Sequence, residues 1–294
     1  MKKVNLFLVG AQKSGSTALA EYLSQHNDIE VSTPKAPNYF SDLFVKSYSL
    51  NVYEEYKRCF KKESKYLCDA SDCYHADIDA LEKIKTYNSD AKLIMAIRNP
   101  YKMLVSLHEH LLWAGYEDID DLNEAWSLQG ERRNGELLPK YCPSSSFLDY
   151  KSLCSVGEHS RNAVNIFGRS NVLFIKTSNL KNNPIEVMKD ITAFLEIDQP
   201  LEIKAVSSNE AVRAKFKFLT VLNRNIPPYI KVWVKNILLK IGFNIDGKFK
   251  SLNGIKITKG EEAYPFSDHI KESINNDIDL LSECLDESAL DWKL

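Results

Sequence analysis

The sequence predicts an α/β fold of three layers, in which helices cover both faces of a central, mainly parallel sheet. Short apolar runs with strand character lie at 6–9, 92–97 and 171–176, and each is followed by a segment with helical periodicity. A repeated order of strand and then helix is typical of parallel sheets covered on both sides. With 294 residues, of which 44% are hydrophobic, the chain can bury one large core.

The first strand follows two lysines and resembles a short signal peptide. Its apolar run, 4–9, spans six residues, whereas the apolar region of a signal peptide usually spans ~7–15 residues. We therefore interpret it as a strand, followed by a helix over 17–25 with its apolar residues on one face. No stretch reaches the ~18 apolar residues of a membrane span, and we expect a cytoplasmic protein.

The second strand leads into a helix with a clear start signal. Asn99 and Pro100 follow the strand 92–97 after one residue, Arg98, and they fit an N-cap with proline at the first helical position. The periodicity then continues to Gly115, a plausible stop. This predicts a helix that begins at the end of the second strand.

The C-terminal half adds further helices to this core. A helix is predicted over 184–195, and Ser267 can cap a last helix. The buried stripe of that last helix comprises Ile270, Ile274, Ile278, Leu281 and Leu285. We expect a single domain over 1–294, with a basic helical insertion at about 208–255 and a helical C-terminal segment.

Charge and cysteine spacing exclude some function classes. The formal net charge is −2, which does not indicate a nucleic-acid partner. The six cysteines include no CxxC pair and no Cys/His cluster, so we predict no metal site. Free thiols in a reducing cytosol are the expected state.

The segment GAQKSGST, at 10–17, has the pattern of a phosphate-binding loop. It follows a strand and opens a helix, where backbone N–H groups and the helix dipole converge on an anion. Its glycines and its final threonine match the Walker pattern GxxxxGK[ST]. However, Ser16 stands in place of the Walker lysine, and the lysine of this loop is Lys13. Lys13 is then placed to stabilise charge on a leaving phosphate.

A second anion-binding pattern follows the second strand. Arg98 stands where a Walker-type enzyme often carries a magnesium-binding aspartate, and Ser106 follows it by eight residues. Two helical turns can bring the hydroxyl to the same side as the arginine. An arginine fork and a hydroxyl suit a separate phosphate, such as a nucleotide 3′-phosphate.

The two motifs resemble those of the sulfotransferases that use 3′-phosphoadenosine 5′-phosphosulfate (PAPS), particularly the carbohydrate (heparan-type) and bacterial branches. GAQKSGSTALAEYL, from Gly10, is similar to their 5′-phosphosulfate loop, and AIRNPYKMLVS, from Ala96, to their 3′-phosphate motif. The stretch 171–197 resembles a later strand–loop–helix of the family, and 257–260 a lysine-glycine loop that closes over the nucleotide.

The resemblance implies a P-loop-like fold and in-line transfer of a sulfuryl group from PAPS, without a metal, to a hydroxyl or amine. The product is adenosine 3′,5′-bisphosphate, and the acceptor is a carbohydrate or small metabolite. Arg98 and Ser106 hold the 3′-phosphate in this reading, with Lys259 as a helper. The residues implied at the 5′-phosphosulfate are Gln12, Lys13, Ser14, Gly15, Ser16 and Thr17.

The general base has three candidates, because Ala36 stands where heparan-type relatives often carry a catalytic glutamate. The stretch 69–74 resembles an acidic Asp/Glu-x-Ser-Pro-x-Tyr motif of the family, with an aspartate in place of the proline. Asp69 is the first candidate base, because it lies at the end of a predicted strand over 66–68. His75 and His110 come next, since histidine titrates near neutral pH.

The basic insertion leaves three interpretations open. Between 213 and 250 nine basic residues face one acidic residue, and apolar residues are interleaved. The segment can be a pair of helices with solvated lysines, a groove for an anionic glycan, or a patch that contacts a membrane and lipid-linked sugars.

Two other functions compete with sulfuryl transfer. A P-loop nucleotide-dependent kinase would need a lysine at position 16 and an acidic magnesium site. A non-catalytic nucleotide-binding relative that lost its base would fit Ala36.

Overall fold

A computed structural model describes residues 2–43, 52–198, 203–206, 212–214, 254–256, 264–285 and 289–294. It confirms the predicted α/β fold. Within these ranges, the helices and strands in chain order are β1 (Leu6–Gly10), α1 (Ser16–Leu23), β2 (Ile29–Val31), α2 (Tyr53–Lys57), β3 (Tyr66–Asp69), α3 (Ile78–Tyr87), β4 (Lys92–Ile97), α4 (Pro100–Ala114), α5 (Leu122–Ser127), α6 (Gln129–Arg133), α7 (Tyr150–Cys154), α8 (Val156–Phe167), β5 (Val172–Lys176), α9 (Thr177–Asn182), α10 (Pro184–Leu195), β6 (Val212–Ala214), β7 (Gly254–Lys256) and α11 (Asp268–Cys284).

Five strands form a parallel sheet in the order β2-β3-β1-β4-β5. The central strands β1 and β4 are almost entirely buried, which explains why they read as continuous apolar runs. β2 is a three-residue edge strand that the sequence analysis did not predict. The sheet brings the carboxyl ends of β1, β3 and β4 to one edge, where the loops that follow them can meet.

Helices cover both faces of this sheet. On one face α1 and α10 pack through Leu19, Leu23 and Ile191 against inward residues of β1 and β4. On the other face α3 and α8 pack together, and the Ser160 hydroxyl of α8 lies 3.8 Å from the Met95 sulfur of β4. The two covered faces explain why the sheet is parallel and buried.

The last helix is fixed to the start of α8. The Asp277 carboxylate accepts hydrogen bonds from the backbone N–H groups of Gly157 (2.8 Å) and Glu158 (2.9 Å). It thereby caps α8 from a different helix and places a negative charge at the positive end of the α8 dipole. A Cβ added to Gly157 would lie 2.0 Å from the Asp277 carbonyl oxygen, so glycine is needed for this close approach.

By packing, the chain separates into two compact units, one comprising 1–103, 151–208 and 268–294 and the other 104–150 and 209–267. The first unit contains the parallel sheet. In the second unit, a buried ion pair joins Arg132 to Glu117 with bonds of 2.6 and 2.8 Å. The single domain expected over 1–294 therefore stays a prediction.

Most of the basic insertion lies outside the described residues. Its two described ends, β6 and β7, pair antiparallel. They are strands, whereas the sequence analysis expected helix there, because pairing of remote segments overrides local apolar periodicity. The interpretations of 213–250 as a glycan groove or membrane patch stay predictions, and Lys259 also lies outside the described residues.

Candidate active site

The predicted phosphate loop connects β1 to α1 as the sequence indicated. The chain leaves the strand at Gly10, whose φ is 141°, and enters α1 through Gly15, whose φ is 86°. Both values lie in a region that favours glycine. The Ala11 N–H donates to the Ala96 carbonyl (2.9 Å), which ties the loop to β4. The positive end of the α1 dipole therefore faces the loop, an arrangement suited to an anion.

Arg98 and Thr177 hold this loop from the neighbouring strand ends. Arg98 Nη1 donates to the backbone oxygen of Lys13 (2.7 Å). The Thr177 hydroxyl lies 2.7 Å from the Ser14 carbonyl and 2.9 Å from the Ile97 carbonyl. Burial lowers the pKa of Arg98, although a guanidinium titrates so high that it stays charged. The structure thus brings Lys13 and Arg98, two predicted site residues, together through a backbone contact.

Two charged side chains that the sequence analysis did not predict, those of Asp72 and Lys35, contact the first residues of α1. The Ser16 hydroxyl donates to Asp72 Oδ2 (2.8 Å), and Lys35 Nζ donates to the Thr17 hydroxyl (3.1 Å). Lys35 and Asp72 form an ion pair with Nζ and Oδ2 3.7 Å apart, and each side chain is 30% exposed. Lys35 and Asp72 lie in the stretches that contain Ala36 and Asp69, but no pattern in the sequence indicates that these two stretches meet.

Asp69, the first candidate base, is completely buried at the end of β3. Its Oδ2 accepts from the hydroxyls of Tyr56 (2.9 Å) and Tyr74 (3.0 Å), and its Oδ1 from that of Ser71 (2.6 Å). Burial raises the pKa of Asp69 to about 6, although the three hydroxyls oppose that rise. These contacts fit an internal anchor for the 53–74 region, and the role of base stays a prediction.

His75, the second candidate base, is 2% exposed and packs beneath the phosphate loop. Its Nδ1 lies 2.9 Å from the Asp72 carbonyl and its ring contacts that of His159 at 5.2 Å. Burial and the neighbouring His159 lower the pKa of His75 to about 3. A neutral ring can donate from Nδ1 to the carbonyl, which makes His75 a support for the loop that carries Asp72.

The remaining predicted site residues are placed as follows. Gln12 is half-buried in the loop, whereas the Ser14 side chain is buried, with its hydroxyl 3.9 Å from the Met103 sulfur. Ser106 is half-buried on α4, and His110 is exposed one turn further along the same helix. Ser14 is therefore placed to use its backbone rather than its hydroxyl toward a ligand.

Two features are absent from the part of the chain that the structure describes. No helix there combines the length and apolar character needed to cross a membrane. No group of three or more His, Cys, Asp or Glu side chains there could hold a metal ion.

Comparison with known proteins decides the family. The protein-family model for the sulfotransferase domain matches residues 3–221, well over half of the chain. This chain belongs to the sulfotransferase family. It is an enzyme of sulfuryl transfer, and its loop Gly10–Thr17 and its parallel sheet lie inside the matched region.

Two curated relatives are bifunctional heparan sulfate N-deacetylase/N-sulfotransferases 1. The protein from Caenorhabditis briggsae is 23% identical over 205 residues, and that from Caenorhabditis elegans is 25% identical over 201 residues. Each match covers 66% of this sulfotransferase but only 23% and 22% of the relative. The chain thus spans about a quarter of the length of these relatives.

A solved structure of another sulfotransferase supports this fold. The sulfotransferase from Alicyclobacillus acidocaldarius superposes with a TM-score of 0.70 at 18% identity, and the match covers 99% of each chain. At this identity the likeness concerns the fold of this sulfotransferase.

Proposed function

We propose that this sulfotransferase transfers the sulfuryl group of PAPS to a hydroxyl or amine of an acceptor by in-line displacement. The observation that carries the proposal is the contact between Arg98 and the backbone oxygen of Lys13, 2.7 Å long. It couples a loop suited to a 5′-phosphosulfate to an arginine suited to a 3′-phosphate. PAPS carries both anions on one ribose, whereas ATP carries its phosphates on the 5′ side alone.

The 5′ subsite is formed by the loop and the first turn of α1. Backbone N–H groups of Gly15, Ser16 and Thr17, together with the helix dipole, bind the phosphate. Lys13 contacts the oxygen that bridges phosphorus and sulfur, where negative charge grows as the S–O bond breaks. The Gly10 and Gly15 conformations, which side chains disfavour, support this cradle because they let backbone approach the anion.

The 3′ subsite uses Arg98 and Ser106. Arg98 offers several donors on one guanidinium, so it can keep its bond to the Lys13 carbonyl and still bind a phosphate. Ser106 adds a hydroxyl from α4. Lys259, in the lysine-glycine sequence 257–260, is proposed to assist in binding the nucleotide.

For the acceptor we propose a carbohydrate or a small metabolite. The curated relatives are named for heparan sulfate, which supports a glycan, and the basic stretch 213–250 would suit an anionic one. Lipid-linked sugars at a membrane surface are a further class of acceptor that we propose. We also propose that the protein is cytoplasmic.

The test is ligand-dependent thermal stability followed by an acceptor screen. Adenosine 3′,5′-bisphosphate at 100 times its Kd should stabilise the fold by ~2.7 kcal/mol, with AMP and ATP much weaker. Arg98→Lys should remove most of the preference for bisphosphate over AMP.

In the acceptor screen, labelled PAPS is offered together with desulfated glycans, phenols and lipid-linked sugars. Equal shifts with AMP and bisphosphate in the wild-type protein would refute the 3′ subsite, and magnesium-dependent transfer from ATP would support a kinase instead.

A further inference from the structure

The ion pair of Asp72 with Lys35 lies directly on the proposed 5′-phosphosulfate subsite. Asp72 Oδ2 accepts from the Ser16 hydroxyl (2.8 Å), and Lys35 Nζ donates to the Thr17 hydroxyl (3.1 Å). Both contacted residues begin α1. A carboxylate and an ammonium group are therefore fixed at the helix terminus where the reacting group would be held.

The segment that contains Ala36 lies against the segment that carries Asp72. The Asn38 N–H donates to the Ser71 hydroxyl (2.9 Å), and the Cys73 thiol donates to Asn38 Oδ1 (3.1 Å). Both contacts are made by Asn38, two residues after Ala36, and they lie on either side of Asp72. The sequence thus has an alanine where a carboxylate was expected, and the residue before it, Lys35, pairs with a carboxylate of the adjoining segment.

An acidic side chain at this position has an electrostatic cost. Because Asp72 contacts a residue that would bind the phosphosulfate, its negative charge opposes ligand binding. Lys35 offsets part of that repulsion. A carboxylate beside the phosphosulfate can offset this cost by accelerating the reaction, if it removes the proton of the acceptor.

We propose that Asp72 is the general base of this sulfotransferase. The inference rests on the proposed function. The acceptor oxygen forms a bond to sulfur as its proton passes to the Asp72 carboxylate. The bond from sulfur to the bridging oxygen breaks, and adenosine 3′,5′-bisphosphate leaves with that electron pair, stabilised by Lys13. Asp72 is 30% exposed, so it can release the proton to solvent.

The other groups around Asp72 suit this role. His75 donates to its backbone carbonyl and stays neutral, since burial and His159 lower the pKa of His75 to about 3. Burial, and then the Asp72 charge, raise the pKa of the Cys73 thiol, which therefore stays protonated. Lys35 supplies a cation to this carboxylate, with its Nζ 3.7 Å from Oδ2. Asp69 differs because its carboxylate is enclosed by hydroxyls.

The experiment compares Asp72→Asn with Asp72→Glu and with Asp79→Asn, a matched change at an exposed aspartate on α3. Turnover is measured with labelled PAPS and the hydroxyl acceptor found in the screen, and binding with adenosine 3′,5′-bisphosphate. Asp72→Asn should lower kcat ~10²-fold, in the range of one placed base. Its bisphosphate Kd should stay unchanged or decrease, because a repulsive charge is lost. Asp72→Glu should recover at least about a tenth of wild-type kcat, and Asp79→Asn should match wild type.

The outcomes separate this inference from the proposed function. If the wild-type protein transfers sulfuryl groups and the kcat of Asp72→Asn lies within about fivefold of the wild-type value, Asp72 is not the base, whereas the proposed function stands. A loss of kcat matched by an equal loss of bisphosphate affinity, or by a large drop in Tm, identifies Asp72 as structural and also overturns the assignment of the base. A wild-type protein that neither binds the bisphosphate nor uses PAPS defeats the proposed function and this inference with it.

Discussion

Gly10 and His75 are packed so closely that no side chain fits between them. A Cβ added to Gly10 would lie 2.5 Å from His75 Nδ1 and 2.9 Å from the Asp72 carbonyl oxygen. The first residue of the phosphate loop therefore rests on the buried imidazole that holds the Asp72 backbone. This contact couples the position of the loop to that of the proposed base.

Gly10→Ala should destabilise the protein and disturb the loop. A forced contact in a packed interior typically costs ~1–3 kcal/mol, and the positive φ of Gly10 adds strain. We expect a lower Tm and at least about tenfold weaker bisphosphate binding, since ~1.4 kcal/mol corresponds to tenfold. Gly168→Ala is the control, because its φ is 84° but nothing lies within 4 Å of an added Cβ. Equal effects of both variants would show that strain, not contact with His75, is responsible.

Asp69→Asn should reduce stability more than turnover. The amide cannot accept the hydroxyls of Tyr56 and Tyr74 at the position of Oδ2 and that of Ser71 at Oδ1 at once. Hydrogen bonds to a charged group contribute ~1.5–3 kcal/mol each, so urea unfolding should show a clear loss. For the protein that remains folded, kcat should stay within about fivefold of wild type. An unchanged unfolding curve with kcat lowered ~10²-fold would restore Asp69 as the base.

The stability of the protein should depend on pH through Asp277. Burial raises the pKa of Asp277 to about 6, against the effect of its bonds to the Gly157 and Glu158 N–H groups. Because the folded pKa lies above the unfolded value, the contribution to stability is complete below about pH 4 and is lost as pH rises through about 6. Asp277→Asn should lack this component, which is worth ~2–3 kcal/mol.

Urea unfolding between pH 4 and pH 7 measures that component as the difference between wild type and variant. Asp268→Asn, a change at a fully exposed aspartate of the same helix, is the control. A constant difference across this range would mean that Asp277 titrates alike in both states. Burial raises the pKa of Asp69 in the same direction. The stability of the double variant, with Asp69→Asn and Asp277→Asn, should therefore depend on pH less than that of either single variant.

Much of the fold could be predicted because its main signals are local. The apolar runs of β1, β4 and β5 and the stripe of α11 depend on burial of each element, and burial leaves a pattern in the sequence. The edge strand β2 has three residues, too few for any period. The ends of the basic insertion pair with each other across about 40 residues, a contact that local periodicity cannot reveal.

The candidate site was predictable where one segment supplies several groups. Spacing alone indicated the loop that contains Lys13, and the strand end that carries Arg98. The pair of Lys35 and Asp72 was not predictable, because it joins two loops that follow different strands. The burial of the Asp69 side chain also could not be read from the sequence, and it makes Asp69 an internal acceptor although it stands at a strand end. The carboxylate of Asp72, three residues further along the chain, instead accepts a hydrogen bond from Ser16 of the phosphate loop.

Lys13→Met should separate catalysis from nucleotide binding. The side chain keeps its length and loses its charge, while the Lys13 carbonyl that receives the Arg98 bond is unaffected. In the proposed reaction the ammonium group meets more negative charge in the transition state than in the bound substrate, so its loss should act on kcat. One such donor is typically worth ~10²–10³ in rate, whereas the bisphosphate Kd should change only about threefold, because the backbone cradle and Arg98 remain.

The measurement is kcat with saturating PAPS beside bisphosphate binding, with Lys61→Met, an exposed lysine, as the control. Lys61→Met should match wild type in both. A Lys13→Met enzyme with kcat within a few fold of wild type would show that another group stabilises the leaving phosphate, and Lys35, bound to Thr17 at 3.1 Å, is the cation to substitute next. Equal losses in kcat/KM and in bisphosphate affinity, with kcat unchanged, would instead assign Lys13 to uniform binding of substrate and transition state.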